Sequence, residues 1–460
     1  MALDRRGVLL TATSEELIAS GRLEVGVHVL RPGLALFATR PIDLSTLRPE
    51  TLLKQPYKTL EEMGALALDV GDSAGVRGSV ELCGGSVCTT VLERSENRWV
   101  VAKQLTGSEA QLDAVDSAAR HRAEAAWLAS RRGGKSDPFP STRVTRWGEH
   151  LRWEMEFIPR YTLGERIVQG RESAASVMGT IRGVVEALAA TVYGRRRGAK
   201  QPSYLDIVER RFNRLSASDT SYATLWYSGG IINGRRCRPI RSLIAQAREE
   251  LPDIAHPQGG RGCHGDLIFE NILPPGIPHT SVGVRLVDPN PANSSPLVDL
   301  AKILMNVVSC YDLAYRDHIR VAVKEPGSAG LEVDVDLFDD ALSRSYGSLC
   351  RLVAGAFLSE LPELSKIVGF RVNDRSLVAQ AALHSLALPI FHDAHHRARG
   401  RAIGFASVGA SLLQHCLDGE DLDGWFGPFW GESSGHYSGA NEVVKNEEVD
   451  LAPKERRNGI

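Results

Sequence analysis

Near residue 160 the chain passes from a strand-rich stretch with one long helix to a mostly helical pattern, and that shift points to folds in which a sheet-built part is followed by a helical one. Residues 80–92 and 99–105 carry β-branched side chains around a Gly-Gly pair and a polar turn at 95–97, the pattern of paired strands. Residues 109–130 follow, rich in Ala, Glu and Arg, with Val115, Ala118, Ala119, Ala123, Ala126 and Trp127 on one helical stripe. A polar connection at 131–140 leads to two further strands, at 144–147 and 151–157, which close near Pro159. From Leu163 the pattern is helical: helices are predicted at 174–192, 203–215, 242–250, 297–308, 335–356, 376–391 and 402–417. A short strand is predicted at 284–287, and residues 216–239 are weakly defined.

Composition sets the remaining bounds. The 460 residues suffice for one large two-lobed domain or for two to three ordinary ones, and 43% hydrophobic side chains supply a sizeable core. With 54 basic and 56 acidic residues the formal charge is -2, so no chain-wide field recruits nucleic acid. Apolar runs such as 386–391 are far too short to cross a bilayer, and the charged N-terminus has no signal-peptide core; a cytoplasmic location and no membrane partner are expected. Seven scattered cysteines, none in a C-x-x-C pair, point to reduced thiols and no zinc site. Residues 1–72 alternate short apolar runs with Gly and Pro and are expected to form a small α+β extension of unread role. The polar stretch 433–460 is expected to be a flexible tail.

The chemistry concentrates at 263–273, C-H-G-D-L-I-F-E-N-I-L. Asp266 and Asn271 stand five positions apart among Leu267, Ile268, Phe269, Ile272 and Leu273. A second acid, Asp288, follows a short apolar strand in V-R-L-V-D-P-N, 22 residues after Asp266. That span is enough for a hairpin to bring both carboxylates into one cleft. One carboxylate can then position a hydroxyl while the amide oxygen and the second carboxylate hold a hard cation such as Mg²⁺.

These segments resemble the aminoglycoside phosphotransferase and choline kinase group. The resemblance is carried by G-G-S-V-C at 84–88, V-A-K at 101–103, the helix containing Glu124, M-E-F-I-P at 155–159, H-G-D-L-I-F-E-N-I-L at 264–273 and V-D-P-N at 287–290. It implies an α+β, bilobal protein-kinase-like fold: an antiparallel-sheet N-lobe and hinge at 73–159 for the nucleotide, and a mainly helical C-lobe at 160–432 with the catalytic and metal loops and the acceptor site. It also implies roles. Asp266 receives the acceptor hydroxyl and His264 braces its loop; Asn271 and Asp288 hold Mg²⁺. Lys103 reaches the α and β phosphates and is oriented by Glu124, 21 residues on. Gly84, Gly85 and Ser86 let backbone approach the phosphates, although they depart from the G-x-G-x-x-G form. Glu156, Phe157 and Ile158 present backbone to the adenine edge.

Two departures turn the expectation away from protein substrates. Gly265 stands where protein kinases carry Arg, and no D-F-G followed by A-P-E is present. Asn290 stands where some small-molecule kinases have a second acid. The implied activity is transfer of the γ-phosphoryl group from ATP with Mg²⁺, or from GTP, to a hydroxyl of a polar small molecule: a sugar, aminoglycoside, nucleoside, cyclitol or amino alcohol. The alternative is a pseudokinase-like nucleotide-binding module without efficient transfer. Oligomeric state is not readable.

Other polar groups receive plainer expectations. Asp299 is read first as a helix cap and second as a brace for the catalytic loop. His384, His392, His395 and His396 beside Asp393 read as a polar helix end rather than a metal site, and Asp312, Tyr315, Arg316 and Asp317 as solvated surface. Arg195, Arg196 and Arg197 read as a solvated loop, and Trp425, Phe426, Phe429 and Trp430 as terminal packing.

Overall fold

The structure, a computed structural model, describes residues 8–9, 22–23, 26–31, 34–38, 42–43, 65–69, 79–82, 88–95, 98–105, 114–131, 137–146, 151–194, 203–255, 260–275, 283–316, 318–327, 330–338, 340–392, 399–420 and 425. Strands Ser79–Leu82, Cys88–Ser95, Arg98–Leu105, Thr142–Arg146 and Arg152–Glu156 form one antiparallel five-stranded sheet. Arg98–Leu105 is its central strand, with Lys103 opposite Thr90 on one side and Trp153 on the other. Val100, Ala102 and Leu105 are buried and so is Lys103, whose ammonium lies 5.9 Å from the centre of the Trp153 ring.

The predicted helix is present as Ala114–Ala129, but it buries a different face. Its inward stripe is His121, Glu124, Ala125 and Leu128, at i, i+3, i+4 and i+7, whereas Ala119 and Ala126 are exposed. The face toward the sheet carries Glu124 for Lys103, so the apolar stripe was a misleading guide. Past the helix, Arg131 lies over the rings of Trp127 and Phe139 and pairs with Asp137, which ties the end of the helix to the stretch that leads into the next strand.

Helices dominate from Leu163 onward. Pro296–Val308, Asp374–Ala387 and Arg399–Leu417 are buried on most sides and pack on one another at the centre, as expected of helices apolar nearly all round. Ala174–Leu188 buries Val177, Met178, Ile181, Val184, Val185 and Leu188 and packs on Ala341–Ser359. Continued to Tyr193, it is the one helix among the described residues long and apolar enough by composition to span a bilayer; the sequence reading placed this helix at 174–192 but judged the chain's apolar runs too short for that. The architecture is thus bilobal α+β, a sheet-built lobe joined to a mainly helical one, in the manner of protein kinases.

Two expectations fail in the helical lobe. Residues 335–337 end a strand, Gly330–Leu337, and the helix begins only at Ala341. That strand pairs antiparallel with Ile319–Gly327 and parallel with Gly230–Ile232, which in turn pairs with Arg235–Cys237. Leu331, Val333 and Val335 are fully buried and alternate with Glu332, Asp334 and Asp336, a period of two. The weakly defined 216–239 holds the end of Tyr204–Ser218, the helix Thr220–Tyr227 and that strand pair. The predicted helix at 376–391 breaks at Leu388, ahead of Pro389. In the first 72 residues the described parts are strands: Val8–Leu9, Gly26–Arg31, Leu34–Ala38 and Ala65–Asp69 in one sheet, with Arg22–Leu23 paired to Ile42–Asp43. The six described cysteines are buried and form no disulfide among the described residues, and Cys83 lies outside them.

Candidate active site

The loop from Cys263 to Asn271 has little regular structure, so its backbone groups must find side-chain partners. They find them on one helix. Asp299, fully buried, accepts the N–H groups of His264 at 2.8 Å and Gly265 at 2.6 Å, and Asn306, two turns on, accepts that of Phe269 at 3.0 Å. Asp299 is therefore a loop brace; the helix is capped by Ser295, whose hydroxyl accepts from Leu297. Burial pushes the Asp299 carboxyl up to about 7, against the lowering effect of its two backbone donors. Gly265 has φ +82° and lies so close to Asn290 that a Cβ would stand 2.1 Å from the Asn290 carbonyl oxygen. No side chain fits between His264 and Asp266, which accounts for glycine in this position.

His264 joins the two acidic segments. Its Nδ1 accepts from the Asp266 N–H at 3.3 Å, which leaves Nε2–H to donate to the Val287 carbonyl at 2.9 Å. Burial lowers its pKa to about 4, so the ring is neutral at pH 7, and it stacks on Phe139 at 5.7 Å. With both ring nitrogens engaged, the neutral imidazole ties the Asp266 backbone to Val287. Asn271 completes the frame: its Nδ2 donates to the Asp266 carbonyl at 2.7 Å, and its own carbonyl accepts from Val287 at 3.0 Å, ahead of the Ile272–Leu286 pairing. Asp266, Asn271 and Asp288 thus belong to one hydrogen-bonded unit.

Cations from both lobes meet these carboxylates. Lys103 Nζ contacts Asp288 Oδ1 directly and lies 3.3 Å from Glu124 Oε1. Glu124 also accepts from His121 Nδ1 at 3.1 Å. Burial works against both charges, but the carboxylates of Asp288 and Glu124 hold the lysine ammonium above its usual range, and Lys103 keeps Glu124 below that of a carboxylate. Asp288 sits at φ 56°, a left-handed conformation that Asp adopts more readily than most side chains, between Val287 and Asn290, whose N–H groups are held by Asn271 and His264. Asp266 has two cationic neighbours that the sequence reading missed: Arg120 Nη2 at 2.7 Å from Oδ2, and Lys302 Nζ at 3.1 Å from Oδ1. Burial raises the Asp266 carboxyl; Lys302 and then Arg120 overcome it and leave the group well below the ordinary carboxylate range. The available signals were spacing: Arg120 is one turn before Glu124, and Lys302 one turn after Asp299.

The other expected residues divide. Gly84, Gly85 and Ser86 lie outside the described residues, as do Arg195 to Arg197, Asp317, Asp393, His395, His396, Phe426, Phe429 and Trp430. Glu156 spends its carboxylate on Arg285, 3.0 Å away, and its N–H on Ser141; Phe157 donates to Trp99 and the Ile158 carbonyl accepts from Arg160. Of the backbone donors of Glu156, Phe157 and Ile158, the N–H of Ile158 is the one without a partner among the described residues. Asn290 serves by its backbone, its N–H donating to the His264 carbonyl at 2.7 Å. His384 is buried edge-on to Tyr204 rather than at a polar helix end. Asp312, expected at the surface, is fully buried and accepts from the Tyr346 hydroxyl at 2.6 Å. Trp425 is buried, as terminal packing requires.

The oxygens of Asn271 and Asp288 suit a hard cation. Since Asn271 Nδ2 is committed to the Asp266 carbonyl, its oxygen is the atom available as ligand. Among the described residues no group of three or more His, Cys, Asp or Glu side chains is placed to hold a metal. A divalent ion here would take most of its shell from phosphate oxygens and water, as Mg²⁺ does in nucleotide sites.

No family model matches the sequence, and no curated protein matches it. Solved structures with similar folds include a thermostable mutant of aminoglycoside phosphotransferase APH(4)-Ia in complex with AMP-PNP and hygromycin B. It is 12% identical, with a TM-score of 0.43 over 79% of this chain and 97% of that one. Spectinomycin phosphotransferase APH(9)-Ia, in complex with ADP and spectinomycin, is 12% identical, with a TM-score of 0.37 over 76% of this chain and 93% of that one.

Proposed function

We propose that the chain is a small-molecule kinase that transfers the γ-phosphoryl group of ATP to a hydroxyl of a polar acceptor. The observation that carries this reading is the contact of Lys103 with both Glu124 and Asp288, in the same hydrogen-bonded frame as Asp266 and Asn271. A cation presented by a central strand and steadied by a buried helix carboxylate is suited to triphosphate oxygens. The residues 73–159 would hold the nucleotide and 160–432 the acceptor.

Asn271 and Asp288 would hold magnesium, which when bound supplies neutralisation of phosphate charge. The chain's own residues do the rest. Lys103, released from Asp288, holds the α and β phosphates in line. Asp266 orients the acceptor hydroxyl so that its oxygen attacks the γ-phosphorus. As that P–O bond forms, the bond from the γ-phosphorus to the bridging oxygen breaks, and ADP leaves with the electron pair. Because Asp266 is held ionised and weakly basic, it takes the hydroxyl proton late in the transfer and then releases it to solvent. His264 and Asp299 keep the carboxylate in place.

The test is a product-detecting screen with γ-labelled ATP and GTP against sugars, aminoglycosides, nucleosides, cyclitols and amino alcohols, with Asp266→Ala as the blank. Labelled product from the parent and none from Asp266→Ala is expected. Nucleotide binding with no product from any acceptor, and identical behaviour in both proteins, would overturn the reading.

A further inference from the structure

We infer that Lys302 is a catalytic residue whose ammonium binds an oxygen of the phosphoryl group in transit, an inference that rests on the phosphotransfer reading above.

The catalytic loop itself offers no cation. Between Asp266 and Asn271 stand Leu267, Ile268, Phe269 and Glu270, so the charge that gathers on the phosphoryl oxygens has no positive partner from this segment. Lys302 brings one from the helix behind it. That helix, Pro296–Val308, is almost wholly buried, and one turn before Lys302 it carries Asp299, which fixes the backbone of His264 and Gly265. Loop backbone and lysine therefore share one rigid support.

Lys302 is not needed to shape the loop. Asp299, Asn271, Asn293 and Asn306 already hold the backbone, and Arg120 already neutralises Asp266 from the other oxygen. Its side chain is 12% exposed, and its one ion pair among the described residues is with Asp266 Oδ1 at 3.1 Å. Partial burial of an ammonium is costly where, among the described residues, one carboxylate oxygen is all that offsets it. An ammonium has three donors, and the carboxylate oxygen takes one. An acceptor oxygen bonded to Asp266 lies about 2.7 Å from the carboxylate. The phosphoryl group arriving at that oxygen therefore enters the immediate neighbourhood of Nζ. In the balanced reaction the acceptor O–P bond forms, the P–O bond to ADP breaks and the proton passes to Asp266, while Lys302 stays protonated throughout and acts by charge alone.

Arg120 and Lys302 differ in one respect that favours the lysine. Arg120 comes from the sheet-built lobe, whereas Lys302 and Asp266 belong to the same lobe, so their spacing survives any movement between lobes.

The test uses a mimic of the transferring group, ADP with magnesium and aluminium fluoride, in titration calorimetry of the parent, Lys302→Met and Lys302→Arg. The parent is expected to bind ADP at least about tenfold more tightly with fluoride than without. Lys302→Met should lose that gain while its affinity for ADP alone stays within about threefold. Hydrolysis of γ-labelled Mg-ATP, with water as acceptor, should fall roughly 100-fold or more in Lys302→Met, and Lys302→Arg should recover part of it. If Lys302 acted only by holding Asp266 ionised, the loss would disappear at pH 9, where an unassisted carboxyl is ionised as well. Equal fluoride gains in parent and Lys302→Met, zero included, overturn the inference, as does a hydrolysis loss that vanishes at pH 9. A parent that binds no Mg-ATP withdraws the phosphotransfer reading itself and this inference with it. If Lys302→Met does not fold, Lys302→Gln takes its place in every arm.

Discussion

Replacing Gly265 by Ala tests the link between backbone geometry and chemistry most sharply. The residue has φ +82°, where an L side chain costs roughly 1–2 kcal/mol. Its added Cβ would also stand 2.1 Å from the Asn290 carbonyl oxygen and 3.0 Å from Asn293 Cβ. Backbone cannot rotate away as a side-chain tip can, so relief takes a shift of about 1 Å, with an overpacking cost of roughly 1–3 kcal/mol. Together these give a loss of about 2–5 kcal/mol. The same shift disturbs the Asn293 bond to the Gly265 carbonyl and the Asn290 bond to the His264 carbonyl, and it moves Asp266, the next residue. A displacement of that size in a reacting group costs about 100-fold in turnover. Gly234→Ala is the control: its φ is +72°, but nothing lies within 4 Å of a Cβ there. Urea denaturation followed by circular dichroism should show Gly234→Ala losing only the conformational part, with turnover unchanged, and Gly265→Ala losing substantially more. Equal stability losses in the two variants, or parent-like turnover in Gly265→Ala, would refute the steric argument.

Two further predictions concern buried charge. Lys103→Met strands Glu124, which is 1% exposed, with His121 as its remaining partner. It should cost about 3–5 kcal/mol in denaturation, whereas Lys103→Met with Glu124→Leu should recover much of that; equal stability of the single and double variants would contradict the pairing. Glu165 is pushed up to about 7, first by burial and then by the charge of Glu270. Between its unfolded value and pH 7 the folded protein holds a proton that the unfolded chain has released, so stability falls as pH rises through that window. Glu165→Gln, which keeps the capping box with Thr162, should flatten the fall by about 3 kcal/mol at most, as read from denaturation midpoints at pH 5 and pH 8. An unchanged slope would show that Glu165 is ionised across the range.

The fold was legible wherever one period dominated. Strands 88–105 and helices such as Tyr204–Ser218 and Ile240–Glu250 follow directly from apolar spacing. The strand Gly330–Leu337 was legible too, in the alternation of Leu331, Val333 and Val335 with acids, but the helical residues beyond it led the prediction to start a helix at 335. The inward face of Ala114–Ala129 was hidden for another reason: it is chosen by the Glu124–Lys103 pair, and apolarity does not record an ion pair. That Asp266, Asn271 and Asp288 come together was readable from their spacing. The approach of Arg120 and Lys302 was not, since they reach Asp266 across 146 and 36 residues and only tertiary packing brings them there. Asp299 was misread as a cap because a helix's first acidic residue usually serves its own helix, whereas here Ser295 caps and Asp299 turns to a neighbouring loop.

As proposed above, Lys103, Asn271 and Asp288 form a magnesium-dependent triphosphate site. Calorimetric titration of ATP into the parent and into Asp288→Ala, with and without Mg²⁺, tests it directly. Saturable binding that strengthens with Mg²⁺ in the parent, and loses that dependence in Asp288→Ala, is the predicted result; no binding, or a Mg²⁺ response identical in the two proteins, would contradict the account.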